Sequence, residues 1–205
     1  MSKIKYFIQQ SWLLIVSSLF FGLILAIANA AWTPRIEANK IQKLNELMTA
    51  LLPGATEFQL VGQIPIESST QQTQEIKLYK AVSAAGQNVG WAFGASGYGF
   101  ADKIELVVAV DCDFQKIAGY EVLSSNETPG FGDQVKLPWY RNQFAGIPAE
   151  TLQLERGGDP DKKDNQIIAI TGATISSRAV VNIINNTLMP LKAQMQKEGL
   201  LTDGD

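Results

Sequence analysis

At 205 residues and 46% hydrophobic content, the chain can bury one core of ordinary size and carry a short accessory element. A net charge of −3 gives no basic footprint for nucleic acid, and the complete lack of histidine removes histidine general bases, haem ligation by histidine and most zinc and copper sites. With Cys112 as the only cysteine, an internal disulfide, a Cys-x-x-Cys pair and a self-contained iron–sulfur cluster are excluded, so any redox chemistry must rest on an organic cofactor.

No charged residue lies between Lys5 and Arg35, and "SWLLIVSSLFFGLILAIANAAW" supplies about 20 apolar residues, enough for one helix to cross a bilayer. Ala28-Asn29-Ala30 also fits a signal-peptide cleavage site. The apolar core from Trp12 to Ala28 exceeds the roughly 7–15 residues of a signal peptide, however, and this favours a retained anchor over residues 1–32. Lys3 and Lys5 on one side, against Arg35, Lys40 and Lys43 on the other, leave its orientation open.

Residues 33–205 are expected to form one domain. "TPRIEANKIQKLNELMTALLPG" predicts a helix capped by Thr33, opened by Pro34 and closed by Pro53-Gly54. Its stripe of Ile36, Ile41, Leu44, Leu47, Met48 and Leu51 predicts a face packed on that domain. The polar stretch "ESSTQQTQE" reads as an exposed turn. Four strand-like runs follow, "EIKLYKAV", "NVGWAFGAS", "KIELVVAVD" and "KIAGYEVLS", some separated by Gly-rich turns such as "GASGYG". Cys112, at the end of the third run, reads as a half-buried thiol.

Residues 124–136 form a loop without periodicity. Then come a short helix in "LPWYRNQFAG", a strand in "TLQLE", an exposed turn in "GGDPDKKDN" and a last buried strand in "QIIAI". The closing helix spans about Ile175 to Gln196, with a kink or break at Pro190. Strands in the middle with helices at the ends give an α+β domain with a central antiparallel sheet and flanking helices, on one N-terminal transmembrane helix.

Several site patterns fail on inspection. "GGDPDKKDN" has Lys163 and Ile170 where a calcium loop needs an Asp or Asn and a bidentate Glu. "GASGYG" has Tyr98 where a nucleophile elbow needs glycine, and no histidine exists to activate its serine. The Gly-x-x-x-x-Gly-Lys phosphate loop is absent. No metal site and no catalytic set emerges.

The turn "TGATISSRAV" is different. Gly172 in a turn that leads straight into a helix gathers free backbone N–H groups and the positive end of the helix dipole at one point, a seat for phosphate. Thr171, Ala173 and Thr174 line that point, Ser176 or Ser177 can cap the helix, and Arg178 adds positive charge. On spacing alone, Thr171 and Ser177 can equally serve to close a strand-to-helix turn.

The same residues resemble the Ser/Thr-Gly-Ala-Thr flavinylation motif of the FMN-binding domain family, found in the G subunit of Rnf electron transport complexes and the C subunit of sodium-pumping NADH:quinone reductases. "SSNETPGFGDQV" resembles the family's Glu-Thr-Pro-Gly-Leu-Gly loop, matching at Glu127, Thr128, Pro129, Gly130 and Gly132, with Phe131 in place of leucine. "GYGFADKIELVVAVD", "WYRNQF" and the N-terminal span extend the resemblance over nearly the whole chain, which looks closer to the Rnf protein.

The resemblance implies FMN joined through its phosphate to the hydroxyl of Thr174. It also implies a Glu127–Gly132 loop that lines the isoalloxazine, with Gly130 and Gly132 allowing close backbone approach. The same source supplies the partners: a flavin transferase, the lipid bilayer and other membrane subunits of an Rnf-type complex. It further implies a single-pass inner-membrane protein with its domain on the extracytoplasmic side, passing electrons between subunits rather than catalysing alone. Two positions depart from the pattern. Asn126 stands where histidine is common. Ile168 stands where family members carry an aspartate that the attachment enzyme is expected to read, with Asp164 the nearby carboxylate. The contrasting reading is a non-redox anchored module that binds a phosphorylated ligand or partner at the same helix N-terminus.

Overall fold

A computed structural model describes residues 2–67 and 73–201. The exposed turn expected in "ESSTQQTQE" lies, over 68–72, outside the described residues. The chain divides near Lys43 and Leu44 into two compact units.

The first unit is helical. Helix α1 runs unbroken over Ser2–Leu51, so the expected boundary after residue 32 falls inside it. Within it lies an apolar stretch long enough, by length and composition, to cross a membrane. Thr33 was expected to cap a new helix, but its hydroxyl instead donates to the Asn29 carbonyl at 2.7 Å, and Pro34 sits in the helix interior.

The second unit is built on a five-stranded antiparallel meander in the order β1-β2-β3-β4-β5. The strands are β1 (Glu57–Glu67), β2 (Thr73–Val82), β3 (Asn88–Tyr98), β4 (Lys103–Val110) and β5 (Ile117–Ser125). The four expected strands are all present. β1 was not expected, and it contains Gly62 and Pro65, residues that weaken a strand. The strand tolerates them because it is an edge, where proline costs no ladder partner, and its register slips between Leu60 and Gly62.

Alternation sends successive side chains of β3 and β4 to opposite faces, and both faces are covered. On one face Leu78, Phe93, Leu106 and Val108 pack with Val180, Ile184, Leu188 and Leu191 of α3 (Thr174–Lys197). On the other, Ala81, Ala92, Val107 and Ala109 meet Met48 and Leu52, with Leu44, Leu47 and Leu51 alongside. Within this unit, Leu44, Leu47, Met48 and Leu51 of the expected stripe belong to a packed face.

Beyond β5 the chain makes a 3-10 turn at Gly132–Lys136, a one-turn helix α2 (Pro138–Arg141) and a second 3-10 turn at Asn142–Phe144. β6 (Gln153–Glu155) and β7 (Gln166–Ile168) pair in parallel. β7 is shorter than "QIIAI" suggested. The buried Gln143 amide pairs with both backbone groups of Ile168, accepting from its N–H at 2.8 Å and donating to its carbonyl at 3.3 Å. Helix α3 passes through Pro190 without ending there.

Candidate functional site

The threonine turn opens α3. Gly172 takes a φ of +83°, a left-handed value that glycine accommodates without penalty. Ala173 is the N-cap residue, and no side chain caps the helix. The first backbone N–H groups of a helix have no intrahelical partner, so this end remains available to an acceptor.

The hydroxyls around it have different fates. Ser177, expected as a cap, accepts from the Ile170 N–H at 3.0 Å and donates to the Ala173 carbonyl at 3.0 Å, which closes the turn. Ser176 donates to the carboxylate of Glu127 at 2.5 Å. Thr174 is half-buried and, among the described residues, its hydroxyl is committed to no protein group. It is the first residue of the helix and faces the groove.

Glu127 is the least expected member. It belongs to a loop without periodicity that is implied to line the isoalloxazine, yet Glu127 is 4% exposed. Besides Ser176 it accepts from the Ala101 N–H at 3.0 Å, so one carboxylate joins the β3–β4 turn, its own loop and the first turn of α3. Two glycines make room for it. A Cβ on Gly132 would stand 2.5 Å from both Glu127 Oε2 and Ser176 Oγ, and one on Gly99 would collide with Glu127 Oε1. The close approach at Gly132 within the protein is thus to its own carboxylate and serine. Gly130 has open space around it and is required by its φ of +78°.

These elements border a groove of about 470 Å³ lined by Phe100, Thr128, Phe131 and Gly132 on one side and residues 172–176 on the other. Of the expected site residues, Thr128, Gly132, Gly172, Ala173 and Thr174 line it. Thr171, Pro129, Gly130 and Arg178 are exposed outside the lining, while Glu127 and Ser177 are buried behind it. Phe100 and Phe131 are additions, 64% and 57% exposed. Phe131 packs over the Gly172 turn, where a Cβ would meet its ring at 3.7 Å. The sequence signal for Phe100 was an aromatic residue in a Gly-rich turn, which spacing alone does not connect to residues so far along the chain.

The two departures from the family pattern are also placed. Asn126 donates to the Asp102 carboxylate at 2.8 Å, tying the loop to the β3–β4 turn. That bond, and then the Lys103 N–H, hold the Asp102 pKa below its ordinary value. Ile168 lies half-buried on β7, and neither it nor Asp164 lines the groove. Asp164 is engaged by Lys162 and by the Gln166 N–H, which keep its pKa low. Cys112 stays half-buried outside the groove, its thiol pKa pushed up by burial first and Asp113 second.

A groove of this volume falls within the range of small-molecule sites. It offers exposed aromatic faces, an uncapped helix N-terminus and a free hydroxyl, and these residues fit an aromatic nucleotide with a phosphate.

The model of the FMN-binding domain family matches residues 99–189, from the β3–β4 turn into α3. The G subunit of the ion-translocating oxidoreductase complex of Methanosarcina acetivorans is 28% identical over 181 residues, covering 88% of this chain and 92% of the relative. The G subunit of the Na(+)-translocating ferredoxin:NAD(+) oxidoreductase complex of Acetobacterium woodii is 28% identical over 182 residues, 86% and 87% of the two chains. The crystal structure of NqrC from Shewanella oneidensis superposes with a TM-score of 0.53 at 23% identity over 65% of each chain, a likeness of fold. Residues 99–189 thus resemble the FMN-binding domain family, and over most of its length the chain is similar to the G subunits of ion-translocating oxidoreductase complexes.

Proposed function

We propose that this chain is a single-pass, membrane-anchored electron-transfer subunit of an Rnf-type ion-translocating complex, carrying FMN esterified through its phosphate to Thr174. The observation that carries the reading is the free Thr174 hydroxyl, set in the groove at an uncapped helix N-terminus while Ser176 and Ser177 are committed elsewhere. The family match and the names of the similar G subunits support it.

When bound, a flavin supplies one- and two-electron redox chemistry, and the protein supplies placement and electrostatics. The N–H groups of the first turn of α3 receive phosphate oxygens, and Phe100 and Phe131 offer ring faces to the aromatic system. Forming the ester requires an activated donor, a flavin dinucleotide. Its phosphoanhydride bond breaks as the bond from Thr174 Oγ to phosphorus forms, a nucleoside monophosphate departs, and the hydroxyl proton goes to solvent. A flavin transferase performs that step, and other membrane subunits of the complex donate and accept the electrons.

Purification of the full chain from cells that contain the transferase is expected to give a yellow protein with a flavin absorbance band that survives denaturation. A colourless protein that binds a simple phosphorylated ligand would favour a non-redox anchored module instead. The anchor is retained in the cell (inner) membrane, with the domain on its extracytoplasmic side. N-terminal sequencing of the mature membrane protein is expected to start at the initiator region. A mature chain starting at Ala31, or one released by a salt wash, would contradict the anchor.

A further inference from the structure

We infer that Glu127 is a charge-selecting residue of the groove. It disfavours a flavin phosphate bearing two charges, as the free nucleotide does, and tolerates the singly charged diester left once the phosphate is joined to Thr174. The inference rests on Thr174 as the attachment hydroxyl and supplies a reason why attachment is needed.

Glu127 and Ser176 are 4% and 2% exposed, and no lysine or arginine pairs with this carboxylate among the described residues. Ser176 lines the groove, but its single proton is given to Glu127 Oε2, so it presents lone pairs to whatever enters. An uncapped helix end is worth about half a positive charge, and a full carboxylate charge in direct contact with its first turn outweighs that. Arg178, one turn further along α3, is exposed and screened by solvent. A phosphate monoester carries roughly −1.5 to −2 charges near neutral pH, whereas a diester carries one. The second charge is the one this wall rejects. The collisions that a Cβ would make at Gly99 and Gly132 show that both turns are built around the carboxylate.

Glu127→Gln reverses both effects. The charge is lost, its carbonyl still accepts from Ala101, and its amide donates to Ser176, whose hydroxyl then turns its proton towards the groove.

The test uses the full-length Thr174→Ala chain in detergent, which cannot be esterified, titrated with FMN and with riboflavin and followed by flavin fluorescence. FMN is expected to bind no more tightly than riboflavin, so the phosphate adds nothing. Adding Glu127→Gln is expected to tighten FMN by about tenfold or more while leaving riboflavin within about twofold. FMN binding that is tenfold tighter than riboflavin in Thr174→Ala alone overturns the inference, even if the double variant does not fold. A double variant that folds and either gains nothing for FMN or weakens both ligands together, as a merely structural glutamate would, overturns it too. A wild-type chain that never acquires flavin from the transferase overturns the proposed function itself, a result separate from these titrations.

Discussion

Thr174→Ala is expected to abolish covalently bound flavin completely while leaving the fold as stable as the wild type to within about 0.5 kcal/mol. Among the described residues the hydroxyl of Thr174 holds no protein group, and alanine is favourable in a helix, so no described contact depends on it. Mass spectrometry of the peptide containing Thr174, from cells with and without the transferase, reads the result directly. Thr171→Ala, outside the groove, is expected to keep the added flavin mass. Ile168→Asp is expected to leave loading unchanged or raise it, since it restores the carboxylate that the resemblance implies at that position. If the wild-type peptide stays unmodified with the transferase present, covalent attachment is wrong for this chain, and flavin held without a bond becomes the reading to test.

The second large effect concerns stability. Glu127→Ala is expected to cost about 3 kcal/mol, because it strands two buried donors, the Ser176 hydroxyl and the Ala101 N–H, at about 1–3 kcal/mol each. For a unit of this size that corresponds to a fall in Tm of roughly 6–12 °C. Thr128→Ala, next door but exposed, is expected to move stability by less than about 0.5 kcal/mol. Thermal melts of the two variants side by side decide the matter. Equal and small losses would mean that the loop is mere decoration on the scaffold.

How far the sequence could be read follows from which forces are local. β2 to β5 were legible because alternating side chains declare a pleated strand, and the threonine turn because a glycine, hydroxyls and a following helix are contiguous. β1 was missed, and its Gly62 and Pro65 signal a break unless the strand is known to be an edge, and edge position is a property of the sheet. Thr33 and Pro34 mimicked a helix start for a related reason, since the pair opens a helix only where none already runs through it, and α1 does. The groove was half legible. Thr174 could be named, but Phe100 reaches it from the β3–β4 turn, and Glu127 is buried by partners at Ala101 and Ser176 that lie far from it in the chain. A polar, Gly/Pro-rich loop looks solvated until its partners are known.

Beneath the groove lie two buried phenols. Tyr140 donates to the Ser177 carbonyl at 3.3 Å and Tyr120 to that of Val135 at 2.7 Å, and burial pushes the pKa of both well above the ordinary value. They therefore remain neutral donors at any physiological pH and fasten the first turn of α3 and the 3-10 turn to the core. An electron arriving at a redox centre is slowed by every nearby dipole that must swing to meet the new charge, and dipoles already fixed in place impose little of that delay. With its protein walls pinned from behind, a redox centre in this groove would have its reorganisation energy set mainly by water on the open side. Docking against another protein of the complex, which expels that water, would then be the event that speeds the electron on its way.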